Sequence, residues 1–216
     1  MNFELFDPIH NEPYSEMIAP EAIILHGYAL AEISSLLDDL HHIIQLAPFR
    51  HMNTPGGFVM SVAMSNCGSQ GWITEKNGYR YDSIDPLSGH EWPPMPSSFL
   101  HLAVNAAQHS GFPDFKPDGC LINRYSPKSR LSLHQDKSEK NLAAPVVSVS
   151  LGIPAVFLFG GLNRTDKTQK FYLEHGDVVV WGGVSRLCYH GILPIKESYH
   201  SLIGNYRINL TFRQSN

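Results

Sequence analysis

Beyond residue 110 the chain shows no helix-forming stretch, only short apolar-polar runs cut at close intervals by Gly, Pro, Asn and Asp. A backbone that turns this often, with no helix to carry a crossover, cannot build parallel βαβ units. It must pair its strands antiparallel, as in a sandwich or jelly roll. The runs fall at 119–125, 130–136, 146–151, 155–160, 170–174, 177–181 and 205–213, after earlier ones at 57–65 and within 21–30. Two helices precede this core. Ile33, Leu36, Leu37, Leu40, Ile43 and Ile44 recur at spacings of three and four before Pro48, and Phe99, Leu102, Ala103 and Ala106 do the same in 97–109. The expectation is one mainly β (α+β) catalytic domain over 1–216, with N-terminal helices and a core over about 115–216. Residues 66–96 are rich in Gly, Pro, Asn and Tyr and too long for an ordinary connection, which predicts a lid loop within a lid segment of about 51–96.

Within the core, His134, Gln135 and Asp136 form an H-x-D triplet, answered by a distant His190. Strand side chains alternate, so a strand over 130–136 turns Leu131 and Leu133 to one face and His134 and Asp136 to the other. Two histidines and one carboxylate are the set that holds a non-haem Fe(II) with positions left open for substrates. The triplet alone is weak evidence, since 12 His and 20 acidic residues in 216 positions supply it readily by chance. A second copy exists, His175-Gly176-Asp177, but its central Gly marks a turn, in which the two side chains need not share a face.

The run at 205–213 carries the other signal. Tyr206, Ile208, Leu210 and Phe212 alternate with Arg207, Asn209, Thr211 and Arg213. On an arbitrary edge strand that polar face is simply wet. Beside a metal, however, a guanidinium fork suits a carboxylate. Arg207 and Arg213 stand roughly 20 Å apart on an extended strand, so they serve one dicarboxylate only by leaning together, one at its distal end and one at the metal end. In the run at 119–125, Leu121, Asn123 and Tyr125 share a face and offer an amide and a phenol to an oxygen-rich ligand, or to neighbouring backbone.

Composition narrows the class. Hydrophobic residues at 43% and charged ones at 17% describe an ordinary globular chain. Cys67, Cys120 and Cys188, odd in number and widely spaced, fit neither a disulfide framework nor a zinc knuckle and predict a reducing, cytoplasmic setting. The acidic start, Met1 to Tyr14, reads as no signal peptide, and the longest apolar stretch, 144–161, is broken by Ser148, Ser150 and Pro154, which predicts no membrane partner. Eight of the 20 acids but one of the 16 bases fall in residues 1–50, net −7, leaving +3 for the remainder. Arg124, Lys128, Arg130, Lys137 and Lys140 around the first triplet make a modest basic rim that a phosphate backbone tolerates. No long apolar surface stripe asks for a partner, so a monomer is expected.

Six blocks then occur in one order: NTPGGFVMSVAMSNCG, GWITEKNGYRYDSIDP, CLINRYSPKSRLSLHQDK, PVVSVSLGIPAVFLFGG, LEHGDVVVWGG and YRINLTFR. Together they resemble the AlkB family of Fe(II)- and 2-oxoglutarate-dependent dioxygenases over nearly the whole chain. The resemblance implies a double-stranded β-helix with His134, Asp136 and His190 as catalytic Fe(II) ligands. It implies Asn123, Tyr125, Arg207, Asn209 and Arg213 at 2-oxoglutarate. Trp72, Tyr79, Met64 and Arg164 would meet a damaged nucleotide under a recognition lid. The implied reaction oxidises the methyl of N1-methyladenine or N3-methylcytosine in single- or double-stranded DNA, and RNA as well, releasing formaldehyde while 2-oxoglutarate and O2 become succinate and CO2. Where the bacterial pattern puts an acidic residue at the substrate base, this chain has Ser138 with Glu139 beside it, which leaves the ranking of lesions open. The residues read without the resemblance also fit a 2-oxoglutarate oxygenase acting on a protein or small molecule, or a cupin-like module holding Zn²⁺.

Overall fold

In the computed structural model, residues 13–75 and 78–216 are described; the leader reading at 1–12 lies outside them. Eight strands form one antiparallel sheet in the order β1 (Tyr14–Ala19), β2 (Ala22–His26), β12 (Val178–Trp181), β9 (Val146–Gly152), β14 (Arg207–Arg213), β7 (Gly119–Tyr125), β4 (Val59–Gly68) and β3 (Arg50–Asn53). Four form a second: β11 (Gln169–Leu173), β10 (Ala155–Phe159), β13 (His190–Ile192) and β8 (Leu131–His134). From β7 onward the chain passes repeatedly between the two sheets, the double-stranded β-helix expected of so many short antiparallel runs. No helix among the described residues is long and apolar enough to cross a membrane.

Alternation along the central strands sorts side chains into two interiors. Ile208, Leu210 and Phe212 of β14, Val147 and Val149 of β9, and Val178 and Val180 of β12 point outward from the β-helix. There they meet Leu36, Leu40 and Ile43 of α1 (Ile33–Leu46) and Phe99, Leu102 and Ala106 of α2 (Ser97–His109). Each such buried large side chain contributes about 1.5–3 kcal/mol, which is why the helices lie across this sheet. The opposite residues face the second sheet: Val146, Val179 and Trp181 meet Ala155, Phe157, Phe159 and Ile192.

Several expectations change. The polar side of β14 is not wet, because the strand is central and buried along both faces between β7 and β9. Residues 66–96 are not a plain loop. They begin with the end of β4 and hold a hairpin of β5 (Gly71–Glu75) and β6 (Gly78–Asp82). The high Gly content of the segment masked the alternation Trp72, Thr74 and Tyr79, Tyr81. Gly68 closes β4 at φ +110°, and a Cβ there would lie 2.5 Å from the Asp118 carbonyl oxygen, so the chain can enter the hairpin only through glycine. The strands β3 and β13, of four and three residues, were too short to announce themselves, and β1 is an edge strand with only Ile18 buried, so it carries no apolar alternation. Arg124 is no part of a basic rim: on β7 it faces away from Asn123 and Tyr125, its guanidinium lying between the rings of Phe49 and Tyr206 at 4.6 and 5.0 Å. Lys128, Arg130, Lys137 and Lys140 are exposed as expected.

Candidate metal and cosubstrate site

The second sheet brings the two histidines together. His190 at the start of β13 pairs directly with His134 at the end of β8, their ring centroids 4.4 Å apart. Asp136 does not share their strand, which stops at His134; the chain bends there and carries the carboxylate toward the eight-stranded sheet. Its oxygens lie 3.6 Å from His134 Nε2 and 3.8 Å from His190 Nε2, and the three ligand atoms fall within 4.8 Å of one another. This is the one such group of His, Cys, Asp or Glu among the described residues.

Both imidazoles are held ready. His134 Nδ1 lies 2.9 Å from the Ser132 carbonyl and His190 Nδ1 3.0 Å from that of Cys188. A carbonyl only accepts, so each Nδ1 carries the hydrogen and donates, leaving Nε2 with a free lone pair. Burial pushes His190 down to about 4, with His134 adding and Asp136 opposing, so its ring stays neutral at physiological pH. Burial alone would raise the Asp136 carboxyl, but Arg213 and then the two histidines hold it well below the usual carboxylate range. Arg213 donates to Asp136 Oδ2 through Nε at 3.0 Å and Nη2 at 2.7 Å. An ionised carboxylate and two imidazoles whose Nε2 atoms face it fit a divalent iron.

Arg207, three repeats of the pleat away along β14, is in a different state. It is 1% exposed, yet only Nη2 has a partner, Ser150 Oγ at 2.9 Å, while Nε and Nη1 have none. The ring of Tyr125 lies 5.0 Å from its guanidinium carbon, and Asn123 Oδ1 nearby on the same face is also buried without a partner. A buried cation with two idle donors is costly unless an anion joins it. A small dicarboxylate fits: one carboxylate for Arg207, the other reaching the metal end. Asn209, on the same face, is already engaged: its Nδ2 donates to Ser148 Oγ and to the Val149 carbonyl, and its Oδ1 accepts from Thr211.

Of the residues read for a nucleotide, Met64 is buried in β4 opposite Asn123. Trp72 and Tyr79 stack on each other, centroids 5.0 Å apart and planes 18° off parallel, so a base can meet the outside of the pair but not enter between them. Ser138 is half-buried, and Arg164 is exposed in the connection between β10 and β11. Sequence reasoning missed Arg186 and Tyr81. Arg186, 2% exposed, donates to the Asp136 carbonyl at 2.6 Å and to Glu139 Oε2 at 3.1 Å, and Tyr81 donates to Glu139 Oε1 at 2.5 Å. An Arg in a stretch otherwise destined for burial was the available signal.

The second H-x-D copy is structural. His175 Nδ1 accepts from the Gly152 amide at 2.9 Å, and Asp177 accepts from the amides of Gly27 and Glu174, each at 2.8 Å. Burial pushes His175 from 6.5 down to about 4, with His200 adding and Asp177 opposing. A histidine depressed on folding leaves stability intact above pH 6.5 and removes it as pH falls toward 4, because the unfolded chain takes the proton first. The urea midpoint of the wild type is therefore expected to fall between pH 7 and pH 5, and His175→Gln to make that fall smaller, His190 supplying the rest; an unchanged fall would contradict it.

Residues 21–213 match the model of the 2OG-Fe(II) oxygenase superfamily, and the fold and site define the same class of enzyme. The chain belongs to that superfamily and, within it, to the AlkB family. It is 55% identical to the alpha-ketoglutarate-dependent dioxygenase AlkB of Salmonella typhimurium and likewise to that of Escherichia coli, with 94% of each chain covered in both cases. Its fold superposes on the solved structure of OsALKBH1 with a TM-score of 0.81 at 30% identity, covering 93% of this chain and all of that one. The protein is accordingly an Fe(II)- and 2-oxoglutarate-dependent dioxygenase.

Proposed function

We propose that this enzyme demethylates N1-methyladenine and N3-methylcytosine in single- and double-stranded DNA and in RNA. It would act as a cytoplasmic monomer whose single catalytic domain carries residues 51–96 as a nucleotide lid. In this reading His134, Asp136 and His190 hold the Fe(II), Arg207, Asn123 and Tyr125 hold 2-oxoglutarate at its distal end, and Arg213 fixes the metal carboxylate. Asn209 belongs to the same cosubstrate set, its side chain steadied by Ser148, Val149 and Thr211. Bound together, iron and cosubstrate supply the activation of O2 that turns 2-oxoglutarate into succinate and CO2 and oxidises the methyl group lost as formaldehyde. Burial of Arg207, Asp136 and His190 keeps water from the reacting groups.

The observation that carries the substrate assignment is the stacked pair of half-buried Trp72 and exposed Tyr79 on β5 and β6, tied through Tyr81 to the network around Asp136. Both lesions bear a positive charge and a methyl on the pairing edge, so they pair poorly and leave the helix at low cost. A cationic ring gains about 0.5–2 kcal/mol over an aromatic face, which Trp72 and Tyr79 offer. Exposed Lys128, Arg130, Lys137, Lys140 and Arg164 suit the phosphate backbone. Met64 lines the floor, and Ser138, two positions past Asp136, sets the preference between the lesions.

Succinate formation with and without methylated oligonucleotides tests the reading: methylated strands should stimulate it, and stimulation by none of them would overturn it. Trp72→Ala should weaken binding of a methylated single strand about tenfold, the loss of one base–aromatic stack. Fluorescence anisotropy measures this, and unchanged affinity would remove Trp72 from the contact surface.

A further inference from the structure

Glu139 sits where three elements meet. It is 6% exposed, and among the described residues it takes Arg186 Nη2 at 3.1 Å, Arg213 Nε at 3.4 Å and the phenol of Tyr81 at 2.5 Å. The two arginines are the groups that grip Asp136, Arg186 by its backbone carbonyl and Arg213 by its carboxylate. Tyr81 comes from the middle of β6, which pairs only with β5. An isolated two-stranded hairpin is marginal in water, so what ties it to the body decides where it stands. Asn66 secures β5 through both its amide atoms at Trp72, Thr74 Oγ1 donates to the Asn53 carbonyl, Ile73 is buried against Ala47 and Trp92, and Trp92 holds the end of β6 at the Asp82 carbonyl. Among the described residues, Tyr81 makes the one side-chain hydrogen bond from the centre of β6 to the body of the protein, a charge-assisted bond of the stronger kind.

We infer that Glu139 is a positioning residue for the dioxygenase reaction, locking the aromatic hairpin to the two arginines that fix the metal carboxylate. The tether sets where an incoming base rests relative to the ligands. It does so in the resting protein, before any nucleic acid binds. The functional part of this inference rests on the hairpin being the nucleotide-facing element, whereas the tether itself does not.

Hydrogen exchange of the metal-free chain separates the two. Tyr81→Phe removes one oxygen and leaves the ring, and amides of β5 and β6 should then exchange about tenfold faster while those of β7, β9 and β14 stay within about twofold. Glu139→Leu should accelerate the same amides. The double variant should be no faster than the faster single one, because one interaction cannot be lost twice. Unchanged hairpin exchange in Tyr81→Phe, acceleration spread evenly over the chain, or additive effects in the double variant would each overturn the inference. If Glu139→Leu does not fold, Tyr81→Phe decides alone. Affinity of the wild type for a methylated single strand is measured in parallel. A tether present in a protein that ignores methylated strands refutes the nucleotide reading, and a missing tether in one that binds them refutes this inference.

Discussion

His134→Ala is expected to lower formaldehyde release from methylated oligonucleotides by at least about a hundredfold and to weaken Fe(II) binding to match. The bound comes from a lesser change: removing a group that merely orients a metal ligand costs ten- to a hundredfold, and His134 is proposed as a ligand itself. Its Nε2 is free toward Asp136 and His190 because Nδ1 already donates to Ser132. Alanine removes the donor without touching the hydrogen bonds of Arg213 or Arg186. The fold should survive, since His134 ends a strand and is part-exposed. Iron-dependent activity retained in a folded His134→Ala protein would end the assignment of this site.

The second large effect lies at Arg207. Truncating one partner of a buried charge pair costs about 2–5 kcal/mol, so Arg207→Met should raise KM for 2-oxoglutarate by at least about 30-fold. The ligand-free protein should respond in the opposite sense. There the guanidinium is buried with two donors idle, and a methionine of similar length removes an uncompensated charge. The melting temperature of Arg207→Met without cosubstrate should therefore equal or exceed that of the wild type, while 2-oxoglutarate should stabilise only the wild type. Scanning calorimetry with and without 2-oxoglutarate reads both. A variant that melts lower and binds the cosubstrate normally would make Arg207 a structural residue only.

These two sites differ in how openly the sequence displayed them. The alternation of β14 announced which of its residues share a face, and the structure keeps that face whole. What strand alternation could not reveal was that both sides of β14 are covered, because burial depends on β7 and β9 arriving from elsewhere in the chain. The structure brings His134 and His190 together, but β8 ends at His134 and the Asp136 carboxylate lies beyond it, held by Arg213, 77 residues away. Local periodicity carries no trace of such a partner. The same limit explains Arg124, read as part of a basic rim until two aromatic rings from distant segments were found on either side of it. The β5–β6 hairpin was hidden by its own composition. Its glycines and polar residues look like a loop, and its order depends on Asn66, Trp92 and Tyr81 bonding across the fold.

The most direct measurement is a mass spectrum of single-stranded oligonucleotides carrying one N1-methyladenine or N3-methylcytosine, taken after incubation with the wild-type enzyme. The expected result is loss of the methyl group, with an intact strand and formaldehyde released, only when Fe(II), 2-oxoglutarate and O2 are all present. An unchanged methylated strand alongside vigorous 2-oxoglutarate turnover would contradict the nucleic-acid assignment and point to a protein or small-molecule substrate.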